Sequence, residues 1–252
     1  MEHWLNVWLV PVILFLGCGP KRNIEPLPAW MTEDGAKNVR IDITNSLLES
    51  HNTDQALRMI ALLYEEGIDT PDVKLLQGRA LLQAGLTNEA EKVLLEAQRK
   101  MPRDPRPYRQ LGILYADTGQ LDLAITNLQS AVKINYSHPD TWNNLGYLLM
   151  ARERCDEARN ALEKAVSLDG ADPLFRNNLA FSCVCAGDDD NALRLLRSTN
   201  SEAEARYNLG VGLETLGKTV GAKQQYQLAL EADSSHAMAR QAVTRLVNED
   251  GQ

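Results

Sequence analysis

The residue patterns with chemical potential in this chain are few, and most lose their force once their surroundings are read. Gly212-Leu-Glu-Thr-Leu-Gly217-Lys218-Thr219 satisfies GxxxxGK[ST], the phosphate-cradling pattern in which backbone amides hold the anion and the lysine neutralises it. Such a loop must follow a β-strand and open a helix, whereas this stretch reads as the end of one helix plus its turn, so no nucleotide role is expected for Lys218. Asp188, Asp189 and Asp190 could suggest a cation site, but acidic residues at a helix start cap free amides and complement the helix dipole. His51, His138 and His236 have no nucleophile or carboxylate partner at catalytic spacing, and no acid–base constellation emerges. Four cysteines make no paired CxxC of a zinc site. The expectation is a non-enzyme with no catalytic residues, no cofactor and no metal.

Composition points the same way. In 252 residues, 44% hydrophobic and 24% charged, 26 basic residues face 34 acidic ones, for a net charge of −8 that repels phosphate backbones. An ordered chain with no nucleic-acid partner is expected. What remains to be positioned is a binding surface, and the elements that would position it repeat. Alanine recurs every 34 residues at Ala56, Ala90, Ala124, Ala158 and Ala192, and Ala222 follows after 30. A second small residue recurs at Gly78, Gly112, Gly146, Ala180 and Gly210, and a third at Ala97, Ala131, Ala165 and Ala229. Glycine inside a helix costs about 1 kcal/mol against alanine, so its recurrence at one phase requires helices that cross too closely for side chains. Apolar residues between these markers follow helical spacing, which makes each unit two amphipathic helices. Gly85, Gly119, Gly187 and Gly217 sit where the first helix ends, and Pro71, Pro105, Pro139 and Pro173 open four consecutive units.

This period and pattern resemble the tetratricopeptide repeat, and PDTWNNLGYLLMARERCDEARNALEKAVSLD, from Pro139 to Asp169, fits it closely. The resemblance implies an all-α solenoid, a right-handed superhelix of helix–turn–helix units with the first helices lining a concave face. Six units are counted, 37–70, 71–104, 105–138, 139–172, 173–202 and 203–236, followed by a capping helix from about Ala237 to Val247 and a tail within 237–252. The first unit is degenerate, with Thr44 and His51 where glycines are expected. The fifth is four residues short near Ser198–Ser201, so its second helix is expected to be truncated.

At shared phases of the first helices two ladders appear. Asn144, Asn178 and Asn208 share one, with Asn143 and Asn177 beside them, and a primary amide both donates to and accepts from a peptide backbone. Ile113, Tyr147, Phe181 and Val211 make an apolar ladder three residues further on. With Tyr207 and Arg109 these residues form the expected groove for a peptide or helix of a partner protein. The alternative is that the asparagines follow the repeat consensus and the apolar ladder packs against neighbouring helices. Arg106 and Arg109 lie at the early edge, without the full basic set of a chaperone-tail carboxylate clamp. Cys155, at the start of one helix, could reach Cys183 or Cys185, late in the next; buried free thiols are the favoured reading, because Cys183 holds an apolar core position.

The amino terminus carries an uncharged apolar run from Val7 to Gly17, too short for the ~20 residues of a spanning helix. It ends in Phe15-Leu16-Gly17-Cys18, which resembles the lipobox of bacterial lipoproteins. That implies a signal peptide over 1–17, acylation of Cys18, a proline-containing tether over 18–36, and a membrane-held protein facing the periplasm. By its resemblance to enterobacterial lipoprotein sorting, Gly19 rather than Asp after the cysteine implies the outer membrane. A lipidated solenoid of six repeats is similar to the pilus-assembly lipoproteins, the TadD group of tight-adherence systems or the PilF/PilW/Tgl pilotins of type IV pili. The resemblance implies help in assembling a pilus or an outer-membrane secretin. A general envelope scaffold, for peptidoglycan synthesis or outer-membrane protein assembly, is the competing expectation.

Overall fold

A computed structural model describes residues 33–250, and these form thirteen α-helices with no strand among them. The first four units pair α1 (Glu33–Glu49) with α2 (Thr53–Glu65), α3 (Pro71–Gln83) with α4 (Thr87–Lys100), α5 (Pro105–Asp117) with α6 (Leu121–Ile134), and α7 (Pro139–Ala151) with α8 (Cys155–Leu168). The fifth and sixth pair α9 (Pro173–Cys185) with α10 (Asp189–Arg197) and α11 (Glu202–Thr215) with α12 (Thr219–Ala232), and α13 (Ala237–Asp250) closes the stack. Helix α1 begins four residues inside the segment expected to be tether, and α13 runs three residues beyond Val247.

Sequence chemistry sets each boundary. The four prolines stand at the first turn of α3, α5, α7 and α9, where a missing N–H costs nothing. Asp104, Asp172 and Asp188 accept backbone N–H groups at the starts of α5, α9 and α10. Asp188 to Asp190 therefore serve a helix start. Turn glycines end the first helices at positive φ, as Gly119 does at +74°; units one and four place His51 (φ 56°) and Glu153 (φ 57°) in the same role.

The repeating small residue is explained by contact. A Cβ on Gly146 would lie 2.5 Å from Leu162 Cγ, and one on Gly112 2.6 Å from Leu128 Cδ2, so the helices of these pairs touch backbone to leucine, and at Gly210 backbone to the Tyr226 ring at 2.5 Å. In unit one Thr44 takes the glycine's phase, fully buried, and its hydroxyl donates to the Arg40 carbonyl at 2.7 Å.

The core is a chain of clusters rather than one mass. One spans Leu48 to Ala80, a second Leu75 to Ala161, and a third Ala180 to Leu246. The division between the second and third falls where unit four meets the short unit five. Helix α10 ends at Arg197, five residues shorter than α8, and the chain turns at once into α11. That tight return is held by Arg197, whose guanidinium bonds both Glu202 carboxylate oxygens at 2.6 Å, and by Ser201, whose Oγ caps α11.

Candidate protein-binding groove

The first helices of the later units place one residue each along a common line: Ile113 on α5, Tyr147 on α7, Phe181 on α9 and Val211 on α11. Ile113 and Tyr147 are exposed, Tyr147 at 59% of its surface, while Phe181 and Val211 are half-buried. Two cavities meet at Tyr147. One of about 390 Å³ lies between α7, α9 and α11, lined by Tyr147, Met150, Phe181, Cys185, Val211 and Leu216. The other, about 440 Å³, is lined by Ile113, Asp117, Asn144, Tyr147 and Leu148. A continuous apolar trough results, with an exposed phenol at its centre.

Gly212 shapes its floor. A Cβ there would come within 2.9 Å of Phe181 Cδ1, so only glycine lets that ring lie against α11. Sequence reasoning had seen Gly212 only as part of the phosphate-loop pattern. That stretch is in fact the end of α11, the Gly217 turn and the start of α12, and Lys218 Nζ donates to the Val184 carbonyl at 3.4 Å. Met150, Cys185 and Leu216 were likewise missed, although Met150 follows Tyr147 by one helical turn and was legible from that spacing.

The structure corrects several expectations. Asn143 is 5% exposed and accepts a hydrogen bond from Asn178 Nδ2 at 2.8 Å, so these two amides close on each other between α7 and α9 instead of facing a peptide. Asn177 is half-buried, and its Oδ1 is buried without a hydrogen-bond partner among the described residues. Asn144 lines the second cavity; Asn208, half-buried, lines neither. Tyr207 packs into the carboxy-terminal end, its ring 5.6 Å from Tyr226 and 5.1 Å from His236, and belongs to the core there, not to the trough. Arg109 stands one turn before Ile113 on α5 and lines a separate cavity at the inter-unit turns.

The cysteines also differ from the favoured reading. Cys155, first residue of α8, is bonded to Cys185, last residue of α9, with their Cα atoms 5.4 Å apart. Two residues along a helix turn the side chain by about 200°. Cys185 therefore faces the start of α8 and the trough, while Cys183 is buried as a free thiol whose pKa is pushed up by burial. The disulfide thus forms part of the trough wall and spans the junction where the core clusters divide.

Cys18 and the apolar run before it lie outside the described residues. Among those described, no helix is long and apolar enough to cross a membrane, and no cluster of ligating side chains could hold a metal ion.

Paired antiparallel helices stacked at a fixed spacing, with a trough along the first helices, define an all-α solenoid. Its units are tetratricopeptide repeats. Models of that repeat match residues 42–105, 112–152 and 139–172. No curated protein matches the sequence. Among solved structures, the repeat protein YrrB is 20% identical with a TM-score of 0.59, covering 73% of this chain and 96% of its own. MamA (AMB-1) is 22% identical, TM-score 0.53, over 66% and 90%. The Cut9–Hcn1 structure of the APC/C is 18% identical, TM-score 0.58, over 82% and 42%. At these identities the likeness establishes the fold: the chain is an all-α tetratricopeptide-repeat solenoid.

Proposed function

We propose that the chain is a non-catalytic adaptor that seats a peptide or helix of a partner protein in the trough along α5, α7, α9 and α11. One observation carries the reading: Tyr147 is an aromatic side chain left 59% exposed where two apolar cavities join. Aromatic anchors in such positions dominate binding hot spots. The solved neighbour YrrB is described as having an unusual peptide-binding site, which supports the same class of activity here.

The sequence adds a place for this adaptor. The Leu16-Gly17-Cys18 segment supports acylation of Cys18 and attachment to the periplasmic side of a bacterial outer membrane, where the protein would assist assembly of a pilus or secretion apparatus. The multiple acyl chains of a lipoprotein would supply the stable anchorage that a single chain lacks. Metabolic labelling with a clickable palmitate analogue tests this arm. Wild-type chain should carry the label and Cys18→Ser should lose it and remain unprocessed; equal labelling of both removes the anchor. In-cell crosslinking through Tyr147, replaced by a photoreactive phenylalanine, should capture an envelope component. Capture of none, with the protein folded and present, counts against the adaptor reading.

A further inference from the structure

One position of the repeat is tied differently from unit to unit. Thr53, the first residue of α2, donates to Oε1 of Gln83, the last residue of α3, at 3.0 Å, and Gln83 Nε2 donates on to the Leu48 carbonyl at 2.8 Å. Cys155 and Cys185 hold the same two places, first residue of α8 and last residue of α9, at the same separation of 30 residues. The geometry of the repeat alone brings such side chains together, and between units four and five the tie is covalent. At other junctions the turns are held by Arg152 on Asp122 at 2.8 Å and by Lys218 on the Val184 carbonyl. Ties of that kind do not open by electron transfer; a disulfide does.

This reducible tie stands at the trough. Cys185 lines the cavity between α7, α9 and α11, and Phe181 precedes it by one turn on the same helix. Cys155 belongs to α8, the helix paired with α7, which carries Tyr147. The bond therefore fixes Tyr147 of unit four and Phe181 of unit five, the two rings of the trough, relative to each other. Across the same junction the Arg159–Asp188 ion pair is stretched to 3.8 Å and the core clusters divide. The buried Asn143–Asn178 hydrogen bond holds the middle of α9, so opening the disulfide releases the end that bears Phe181. Both bonded cysteines are half-buried and open to attack, whereas Cys183 is 3% exposed.

We propose that the Cys155–Cys185 bond is a redox gate on the trough: closed, it holds units four and five in the partner-binding arrangement; opened by a protein dithiol of the C-x-x-C class, it lowers the hold on the partner. The exchange has a preferred direction. Cys155, as first residue of α8, sits where the free N–H groups of a helix stabilise a thiolate, which makes it the leaving group. A thiolate of the dithiol attacks Cys185 Sγ from the trough, the Cys155–Cys185 bond breaks, and Cys155 leaves and takes a proton. The second thiol of the dithiol then displaces Cys185, which is protonated in turn. Two electrons and two protons have passed to the chain, and the dithiol ends as a disulfide. The gate rests on the trough being a peptide seat, but its own claim concerns what the bond does to that seat.

Three measurements test it, the first without any partner. In the full chain carrying Cys18→Ser, dithiothreitol should make the amides of α9 and α11 exchange with deuterium about tenfold faster, leave those of α3 to α6 unchanged, and keep the helical circular dichroism at 25 °C. Unchanged exchange overturns the gate, and so does loss of the helical signal, which would make the bond a structural staple. Thioredoxin with its second active-site cysteine replaced by serine, quenched with iodoacetamide, should be trapped on Cys185 with Cys155 alkylated. Trapping on Cys155, or none while dithiothreitol opens the bond, overturns the exchange. In cells, photocrosslinking through position 147 should capture the partner about tenfold less with Cys155→Ser/Cys185→Ser than with the cysteines present. Cys155→Thr/Cys185→Gln, which copies the Thr53–Gln83 tie, should capture more than the serine pair. Equal capture by all three overturns the gate and leaves the trough standing. Capture by none counts against the adaptor reading, and the exchange measurement then decides the gate's effect on α9.

Discussion

Reducing the Cys155–Cys185 bond should cost this solenoid about as much as truncating a large core side chain. The bond closes a loop of 30 residues, and in the chain-entropy treatment such a crosslink lowers the entropy of the unfolded ensemble enough to stabilise the fold by about 3.6 kcal/mol at 25 °C. Strain and residual structure bring measured values down, so about 2–4 kcal/mol is expected. For a folded region of this length the full figure corresponds to a loss of about 7–14 °C in melting temperature. The position sharpens the forecast. The bond ties α8 to α9 at the division between core clusters, beside the shortened α10, so reduction should uncouple the last two units from the first four. Guanidinium unfolding followed by circular dichroism, with and without dithiothreitol, should show one transition splitting into two, the earlier belonging to α9–α13. Cys155→Ser/Cys185→Ser should reproduce the reduced behaviour and ignore dithiothreitol, while Cys183→Ala should still respond to it. In a Cys18→Ser background, thiol titration of the unfolded, unreduced chain should find one free thiol, that of Cys183. Three free thiols, or a melting temperature indifferent to reductant, would refute the reasoning.

Three further outcomes follow from local geometry. Gly146→Ala should lower stability by up to about 2 kcal/mol, overpacking against Leu162 outweighing better helix propensity, and the loss should shrink in a Leu162→Ala background, where the Ala158 carbonyl 3.1 Å away remains, measured by the same denaturation. Glu153→Gly should stabilise by about 0.5–1 kcal/mol, because Glu153 holds the left-handed turn conformation that glycine adopts freely, read as a higher denaturant midpoint. Glu202, held down to about 2 by hydrogen bonds from Arg197 and then Arg206, stabilises the folded state above its unfolded pKa near 4.5. That contribution is lost as pH falls from about 4.5 towards 2, so Glu202→Gln should flatten the acid limb of the stability curve, by less than about 1 kcal/mol since the pair is solvent-exposed.

The helix pairs were legible because their causes are local and periodic: prolines at the first turns, glycines at turn ends, small residues opposite leucines. The truncated second helix of unit five was visible as four missing residues near Ser198. The trough was only partly legible. Phase places Tyr147 and Phe181 on one line, but phase alone could not show that Asn143 and Asn178 satisfy each other, since amides that face a ligand and amides that face a neighbouring helix share the same register. Tyr207 illustrates the same limit at the end of the stack, where α13 and His236 supply a partner that interior units lack. The pairing of Cys155 with Cys185 and not Cys183 depends on side-chain direction at the end of α9, which the repeat frame did not resolve. Gly212 was hidden by a coincidental motif.

The most direct test of the adaptor account is a single comparison at Tyr147. Being exposed, its ring contributes little to the fold, whereas truncating an aromatic anchor in a desolvated contact costs about 2 kcal/mol or more of binding, roughly thirtyfold in affinity. Phe181, half-buried over Gly212, would mix the two effects and is the poorer probe. With the partner captured by in-cell crosslinking, Tyr147→Ala should keep the wild-type melting temperature within about 2 °C and bind that partner at least tenfold more weakly. A variant that melts normally and binds the partner with unchanged affinity would contradict the account and move the contact off the trough.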